Sequence, residues 1–166
     1  MGDELWQRTG AEMASMIATG EVSSREVVDA HLDRIHEVNG HCNAVTRVLA
    51  DEARAGADKA DAAVAAGDTL GPFHGVPCTI KENIDVAGTP TTQGLPAFAD
   101  LVSPVDAPVV ERLRAAGAIP VGRTNLPELG LRISTDNPLH GLTRNPWHPD
   151  LTAGGSSGGE GSAIAS

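Results

Sequence analysis

Residues Ala153 to Ser162 read A-G-G-S-S-G-G-E-G-S, so two adjacent serines lie among five glycines. Glycine allows backbone conformations that other residues rarely adopt, and loops of this kind often bring polar side chains close to a ligand. A flexible linker rich in glycine and serine has the same composition. The rest of the sequence therefore has to distinguish a functional loop from a linker.

Three chemical interpretations of this loop can be compared. Phosphate binding is disfavoured, because Glu160-Gly161 stands where a phosphate-binding loop has lysine followed by serine or threonine, and a carboxylate repels phosphate. A nucleophile elbow of the G-x-S-x-G type would be centred on Ser157. It lacks a preceding apolar strand, and only nine residues follow that serine. The third interpretation is a serine that works with a lysine.

Lys81 is the candidate lysine for such a site. It ends the apolar run Val76 to Ile80 within G-V-P-C-T-I-K-E-N, which predicts a buried strand with a polar tip. An amine at that position can be partly desolvated, which disfavours its charged form and lets it accept a serine proton. The alternative is a surface lysine paired with Glu82 or Asp85.

Helix and strand signals alternate along the chain, which predicts an α/β fold with a sheet covered by helices. Capping-box spacing at Thr9 to Glu12 and at Ser23 to Glu26 opens the first two helices. The predicted helices end at Gly20, at Asn39-Gly40, at Ala66 before Gly67 and at Gly117, the last with Asp106 as a possible cap. The predicted strands are Ala44 to Leu49, the run ending at Lys81, and Ala118 to Gly122.

Composition narrows the class of protein further. The 166 residues carry a formal net charge of −10, so nucleic acid and anionic membrane surfaces are poor partners. Acidic residues near the start and the lack of a long apolar segment predict a soluble, cytoplasmic protein. Cys42 and Cys78 are expected to be free thiols. Aromatic residues make up 2% of the chain, so the core must consist mainly of Val, Leu, Ile and Ala.

Three motifs, in order, closely resemble the amidase signature family. They are G-V-P-C-T-I-K-E-N-I-D-V at Gly75 to Val86, D-A-P-V-V-E-R-L-R-A-A-G-A-I-P-V-G-R-T-N at Asp106 to Asn125, and A-G-G-S-S-G-G-E at Ala153 to Glu160. The resemblance implies the N-terminal portion of the amidase-signature fold, a mixed β-sheet covered by α-helices. Residues 1–166 would form part of one domain, with leading helices in 1–70 and the start of the signature core in 71–166.

The resemblance also implies an activity. Family members hydrolyse carboxylic amides to acid plus ammonia or amine through a Ser-cisSer-Lys triad. By motif position the lysine is Lys81 and the bridging serine is Ser156, with the cis peptide bond between Gly155 and Ser156. The loop around the bridging serine would consist of Gly154, Gly155, Ser157, Gly158 and Gly159.

The third member of the triad, the nucleophilic serine, has no counterpart among residues 1–166 by motif position. The resemblance places the nucleophilic serine, in a G-G-S segment, about two dozen positions after Ser156 and therefore beyond Ser166. We expect this chain alone to be inactive towards amides, since nucleophile and oxyanion hole both lie in that segment. A further expectation is exposed apolar surface with marginal stability or aggregation. Glu160 to Ser166 is predicted to start a helix, with Ala163, Ile164 and Ala165 in a buried environment.

Two branches of the family compete. Thr135 to Trp147, Pro127 to Arg132 and the glutamate after the two glycines resemble general amidases more than the glutamine-hydrolysing subunit of tRNA-dependent amidotransferases. A non-catalytic interaction module is the alternative from another class. The implied partner is a small-molecule amide, with no nucleic acid or membrane and a possible homodimer in the full-length family.

The remaining polar residues give weaker signals. The six histidines show no metal-ligand spacing, so neither a metal nor a cofactor is expected, and His31 and His36 are expected at the surface. The segment Arg123 to Asn125 follows a predicted strand, which is a usual position for site residues in α/β sheets. Asp136 and Asn137 precede a proline and predict a turn, which the resemblance places near the active site.

Overall fold

The computed structural model describes residues 4–166. Within these residues lie five α-helices and three strands, which alternate after the first two helices, in agreement with the predicted α/β class. The helices are α1 (Gly10–Ala18), α2 (Ser24–Cys42), α3 (Ala50–Ala66), α4 (Pro108–Ala115) and α5 (Gly158–Ala165). The strands are β1 (Val45–Val48), β2 (Pro77–Lys81) and β3 (Ile119–Thr124). Short 3-10 turns occupy Leu5–Gln7, Pro96–Phe98 and Glu128–Gly130.

The three strands form one sheet in the order β1-β3-β2. β1 and β3 are antiparallel, with Val45 opposite Thr124 and Val48 opposite Gly122. β3 and β2 run in the same direction, because the Ile119 N–H donates to the carbonyl of Val76 and the Glu82 N–H donates to that of Thr124. The sheet is therefore mixed, and its central strand β3 is buried along its whole length.

The chain divides into two compact units. The first comprises the residues up to Ile35, Leu49–Cys78 and Glu111–Val121, and the second comprises His36–Val48, Thr79–Val110 and Gly122–Ser166. The core of the first unit consists of aliphatic side chains and alanine, as composition predicted. One cluster contains Val28, Leu32, Ala53, Ala57, Ala60, Ile119 and Val121, and another contains Met13, Ile17, Val27 and Val76.

The predicted helix starts are confirmed by their capping contacts. The Thr9 side chain accepts a hydrogen bond from the Glu12 N–H, and the Glu12 carboxylate accepts one from the Thr9 N–H. Ser23 and Glu26 make the same reciprocal pair before α2. These contacts satisfy backbone donors that a helix start otherwise leaves without partners. Gly67 ends α3 in the left-handed conformation, as predicted.

The predicted end of α2 at Asn39-Gly40 is wrong, because the helix continues to Cys42. The Asn39 side chain accepts hydrogen bonds from the N–H groups of Ala44 and Val45 and donates to the Val45 carbonyl. Asn39 therefore fastens the start of β1 from inside the helix. The turn out of the helix is made by Asn43, which has a φ of 50°.

Two other expectations for helices are corrected. His31 is half-buried in α2, where its Nδ1 lies 2.8 Å from the Val27 carbonyl oxygen, while His36 is exposed as expected. Burial lowers the pKa of His31, and the contact with Val27 opposes this shift. Helix α5 forms where predicted, but Ile164 is 88% exposed, and Ser162 faces inwards and donates to the Arg144 carbonyl.

The predicted exposure of apolar surface is confirmed. In the described part of the chain, the most exposed large apolar side chains are Leu131, Ile133, Trp147 and Ile164, all more than 80% accessible. Among residues 4–166, no helix combines the length and apolarity needed to cross a membrane.

Strand β3 does not end at Gly122 as predicted but continues to Thr124. The pairing of Arg47 with Arg123 and of Val45 with Thr124 extends the ladder by two residues. A side chain at Gly122 would bring its Cβ within 2.8 Å of a Val45 methyl group and 3.0 Å of the Arg47 carbonyl oxygen. The glycine is therefore required by the close approach of β1 and does not end the strand.

Candidate active site

Lys81 is the last residue of β2, and its amine contacts both serines of the glycine-rich loop. Its Nζ lies 3.0 Å from Ser156 Oγ and 2.8 Å from Ser157 Oγ. Ser156 is half-buried, whereas Ser157 is exposed. The structure thus brings together the candidate base and the serine pair, which are 75 and 76 positions apart in sequence.

The loop that carries the serines is ordered by close backbone contacts, which excludes the linker interpretation. The peptide bond between Gly155 and Ser156 is cis, at the predicted position. A Cβ on Gly155 would lie 2.5 Å from the Arg132 carbonyl oxygen and 2.8 Å from the Ile133 carbonyl carbon. Because both neighbours are backbone atoms, only glycine fits there.

Thr135 fixes the loop on both sides of the serine pair. Its hydroxyl donates to the Gly154 carbonyl at 2.9 Å and accepts from the Gly158 N–H at 3.1 Å. Thr135 is fully buried, so both bonds are shielded from water. Sequence reasoning missed this residue, although it begins the segment Thr135 to Trp147 that resembles the family.

Glu82, the residue after Lys81, is buried and does not point at the serine loop. Its Oε1 accepts from the Thr46 hydroxyl at 2.6 Å, and its Oε2 accepts from the Thr92 hydroxyl at 2.8 Å. Asp85 accepts from the Thr91 hydroxyl. An ion pair between Lys81 and either carboxylate is therefore not the arrangement that the structure shows.

His140 extends the hydrogen-bonded chain that starts at Glu82. Its Nε2 lies 3.1 Å from Thr92 Oγ1. Because the Thr92 hydroxyl donates its proton to Glu82, it accepts from His140, whose Nε2 therefore carries hydrogen. Burial lowers the pKa of His140, the Glu82 charge opposes this shift, and Arg47 adds to it. His140 is thus expected to be neutral near pH 7.

Arg123 is a fully buried cation that holds the segment after β2. Its guanidinium donates to the carbonyls of Lys81 at 3.2 Å and Ile84 at 2.7 Å. It also donates to the Pro90 carbonyl, the Thr89 hydroxyl and, more weakly, the Ile80 carbonyl. Burial lowers the pKa of Arg123, while the charges of Glu82 and Asp85 oppose the shift. Arg123 fixes the backbone that carries Lys81.

Asn125 and Asn137 connect β3 to the loop that precedes the serines. Asn125 donates to Thr143 Oγ1 at 2.9 Å, and its own Oδ1 accepts from Asn137 Nδ2 at 2.7 Å. The Asn137 Oδ1 accepts from the N–H groups of Leu139 and His140, which confirms the predicted turn. Asp136 is exposed, whereas Asn137 is buried and fully occupied by contacts within the chain.

The side chains that could ligate a metal ion lie apart from one another. In the part of the chain that the structure describes, no three His, Cys, Asp or Glu side chains are clustered for that purpose. Both cysteines are free, as predicted. Burial raises the pKa of the Cys78 thiol to about 11, with a smaller opposing effect from Arg114.

A mixed sheet with a strand-end lysine hydrogen-bonded to a serine behind a cis peptide bond defines the class of protein. It is an α/β protein with a serine–lysine site. Residues 26–166 match the sequence profile of the Amidase family. The chain belongs to this family.

Individual relatives agree with that assignment. The chain is 53% identical to an indoleacetamide hydrolase of Bradyrhizobium diazoefficiens, over 97% of this chain and 31% of that protein. It is 45% identical to a glutamyl-tRNA(Gln) amidotransferase subunit of Thermobifida fusca, over 98% of this chain and 32% of that protein. The crystal structure of a bacterial aryl acylamidase of the amidase signature family superposes with a TM-score of 0.88 at 33% identity, covering 92% of this chain and 32% of that one. The chain spans about a third of the length of these relatives.

Proposed function

We propose that this chain supplies two members of an amide-hydrolysing Ser-cisSer-Lys triad, Lys81 as the base and Ser156 as the bridging serine. The contact of 3.0 Å between Lys81 Nζ and Ser156 Oγ carries the proposal. Gly154, Gly155, Gly158 and Gly159 allow the backbone geometry that holds Ser156 there, and Ser157 completes the loop. The family resemblance supplies the third member, a serine nucleophile outside residues 1–166.

The proton moves in two linked transfers. Ser156 gives its hydroxyl proton to the neutral amine of Lys81 and takes up the hydroxyl proton of the nucleophile, whose oxygen then attacks the amide carbonyl. When the C–N bond breaks, the proton returns through Ser156 to the leaving nitrogen. Water then hydrolyses the acyl-enzyme to the acid. No redox partner or cofactor is required by this sequence of steps.

The proposed substrate is a small-molecule carboxylic amide. An indoleacetamide-like amide is the first candidate, because the indoleacetamide hydrolase shares 53% identity with this chain. Glutamine is the second, supported by the 45% identity to the amidotransferase protein. The net charge of −10 argues against nucleic acid as a direct partner. We further propose a cytoplasmic location, consistent with two free thiols, and a homodimer for the complete protein.

A chimeric protein tests this function. Residues 1–166 would replace the matching segment of the Bradyrhizobium indoleacetamide hydrolase, and release of ammonia would be measured with indole-3-acetamide, glutamine and simple aryl amides. We expect turnover by the chimera and none by residues 1–166 alone. Lys81→Ala and Ser156→Ala should each reduce kcat by about 10³-fold or more, since members of a catalytic unit act together.

Lys59 provides the matched control, because Lys59 and Lys81 are the two lysines of the chain and Lys59 is exposed on α3. Lys59→Ala should leave turnover unchanged. Full activity of the Lys81→Ala chimera would contradict the proposal. Hydrolysis by residues 1–166 alone that depends on Lys81 would show that the nucleophile lies inside this chain. A folded but inactive chimera would favour a non-catalytic interaction module.

A further inference from the structure

We propose that Ser157 is a positioning residue whose hydroxyl orients the Lys81 amine towards Ser156. The inference rests on the proposed function, and it starts from a contact of Lys81 with a residue outside the proposed triad. The Lys81 Nζ lies nearer to Ser157 Oγ, at 2.8 Å, than to Ser156 Oγ, at 3.0 Å. The second serine of the pair is therefore a full hydrogen-bond partner of the amine.

Counting donors and acceptors assigns different roles to the two hydroxyls. A neutral amine has two N–H donors and one lone pair. To accept the proton of Ser156, Lys81 must direct its lone pair at Ser156 Oγ, which leaves an N–H for Ser157 Oγ. Once Lys81 is an ammonium ion, it donates to both oxygens. Ser157 accepts in both states, whereas Ser156 changes from donor to acceptor.

The surroundings of Ser157 suit a fixed acceptor. Its backbone carbonyl accepts from the Gly161 N–H at 3.0 Å, in the first turn of α5. The next residue, Gly158, is held by the buried hydroxyl of Thr135. The nearest carboxylate in sequence, Glu82, is occupied by two threonines and does not compete for the amine. Ser157 is thus placed to restrict an otherwise flexible lysine side chain at low entropic cost.

Nuclear magnetic resonance of the lysine Nζ protons tests this role on the 166-residue chain itself. Lysine-selective ¹⁵N labelling yields two side-chain signals, with exposed Lys59 as the internal reference. The exchange of Nζ protons with water should be slower for Lys81 than for Lys59. Ser157→Ala should accelerate the Lys81 exchange about tenfold, which corresponds to one hydrogen bond to a charged group.

Two further variants make the result specific. Ser157→Thr keeps the acceptor oxygen, so its Lys81 exchange should stay within about twofold of the wild-type rate. Ser156→Ala removes the other acceptor and should also accelerate exchange. Backbone amide spectra would establish that α5 and β2 remain folded in each variant.

The outcomes separate this inference from the proposed function. If Ser156→Ala accelerates the Lys81 exchange and Ser157→Ala does not, the positioning role of Ser157 is overturned and the triad proposal stands. If neither variant changes the exchange, the triad proposal and the positioning role of Ser157 both lose the Lys81 contacts on which they rest. If a folded Ser157→Thr variant exchanged its Lys81 protons as fast as Ser157→Ala does, the role of Ser157 would also be overturned.

Discussion

Replacing Arg123 with methionine should cost a large part of the stability of this chain. The fully buried guanidinium makes five hydrogen bonds, four to backbone carbonyls and one to the Thr89 hydroxyl. Methionine fills a similar volume but satisfies none of these acceptors, and Glu82 loses a neighbouring positive charge. Removing one partner of a buried, hydrogen-bonded charge costs about 3–5 kcal/mol. The total stability of a domain is only about 5–15 kcal/mol.

Lysine at position 123 gives a graded comparison. It keeps the positive charge but donates from a single nitrogen, so it cannot bind all of the acceptors that the three nitrogens of the guanidinium reach. We expect Arg123→Lys to lose about 2–3 kcal/mol, between wild type and the methionine variant. Arg112→Met is the matched control, because Arg112 is exposed on α4 and its loss should change stability by less than about 0.5 kcal/mol.

Urea unfolding followed by far-ultraviolet circular dichroism would measure these differences as shifts of the midpoint at constant slope. Ordered losses, with Arg123→Met most destabilised and Arg112→Met unchanged, would support the role of Arg123 as a buried clamp. An Arg123→Met midpoint equal to that of Arg112→Met would refute it, because the five contacts would then contribute nothing measurable.

The packing at Gly159 and the burial of Cys78 and His31 can each be checked by a separate measurement. A Cβ on Gly159 would lie 2.3 Å from the Asn125 backbone nitrogen, so Gly159→Ala should prevent cooperative thermal unfolding. Gly161→Ala is the control, because the nearest atom to its added Cβ lies 3.7 Å away, and it should raise the free energy of unfolding by up to about 1 kcal/mol. Burial raises the pKa of Cys78 to about 11, so iodoacetamide at pH 8 should leave Cys78 unmodified in the native chain and alkylate it in urea, as read by peptide mass spectrometry. Burial lowers the pKa of His31 in the folded chain, so as the pH falls below about 6.5 the unfolded chain binds a proton at His31 more readily than the folded chain does. The free energy of unfolding should therefore fall with pH in that range. His31→Gln should make this dependence on pH shallower, as measured by urea titrations at a series of pH values.

Local signals predicted much of the fold. Caps at Thr9, Ser23 and Gly67 depend on residues within one helical turn, and each forms as expected. The contacts that hold the serine loop could not be predicted in the same way. Thr135 lies more than twenty positions before Gly158, and nothing in its immediate neighbours indicates that its hydroxyl bonds to that glycine and to Gly154. Such partners depend on tertiary packing, which a single sequence does not specify locally.

The errors at the strand ends have a common physical cause. The sequence pattern puts Arg123 after β3 and allows Glu82 as a surface partner of Lys81, because a charge after an apolar run usually marks the return to solvent. Both side chains are buried, since acceptors and donors from distant segments compensate their charges: carbonyls and Thr89 for Arg123, and Thr46 and Thr92 for Glu82. Because Glu82 is bound by threonines in the interior, it does not pair with Lys81, whose amine contacts the two serines instead. A strand-end charge in this family member is therefore better interpreted by asking which polar groups surround it than by assuming exposure.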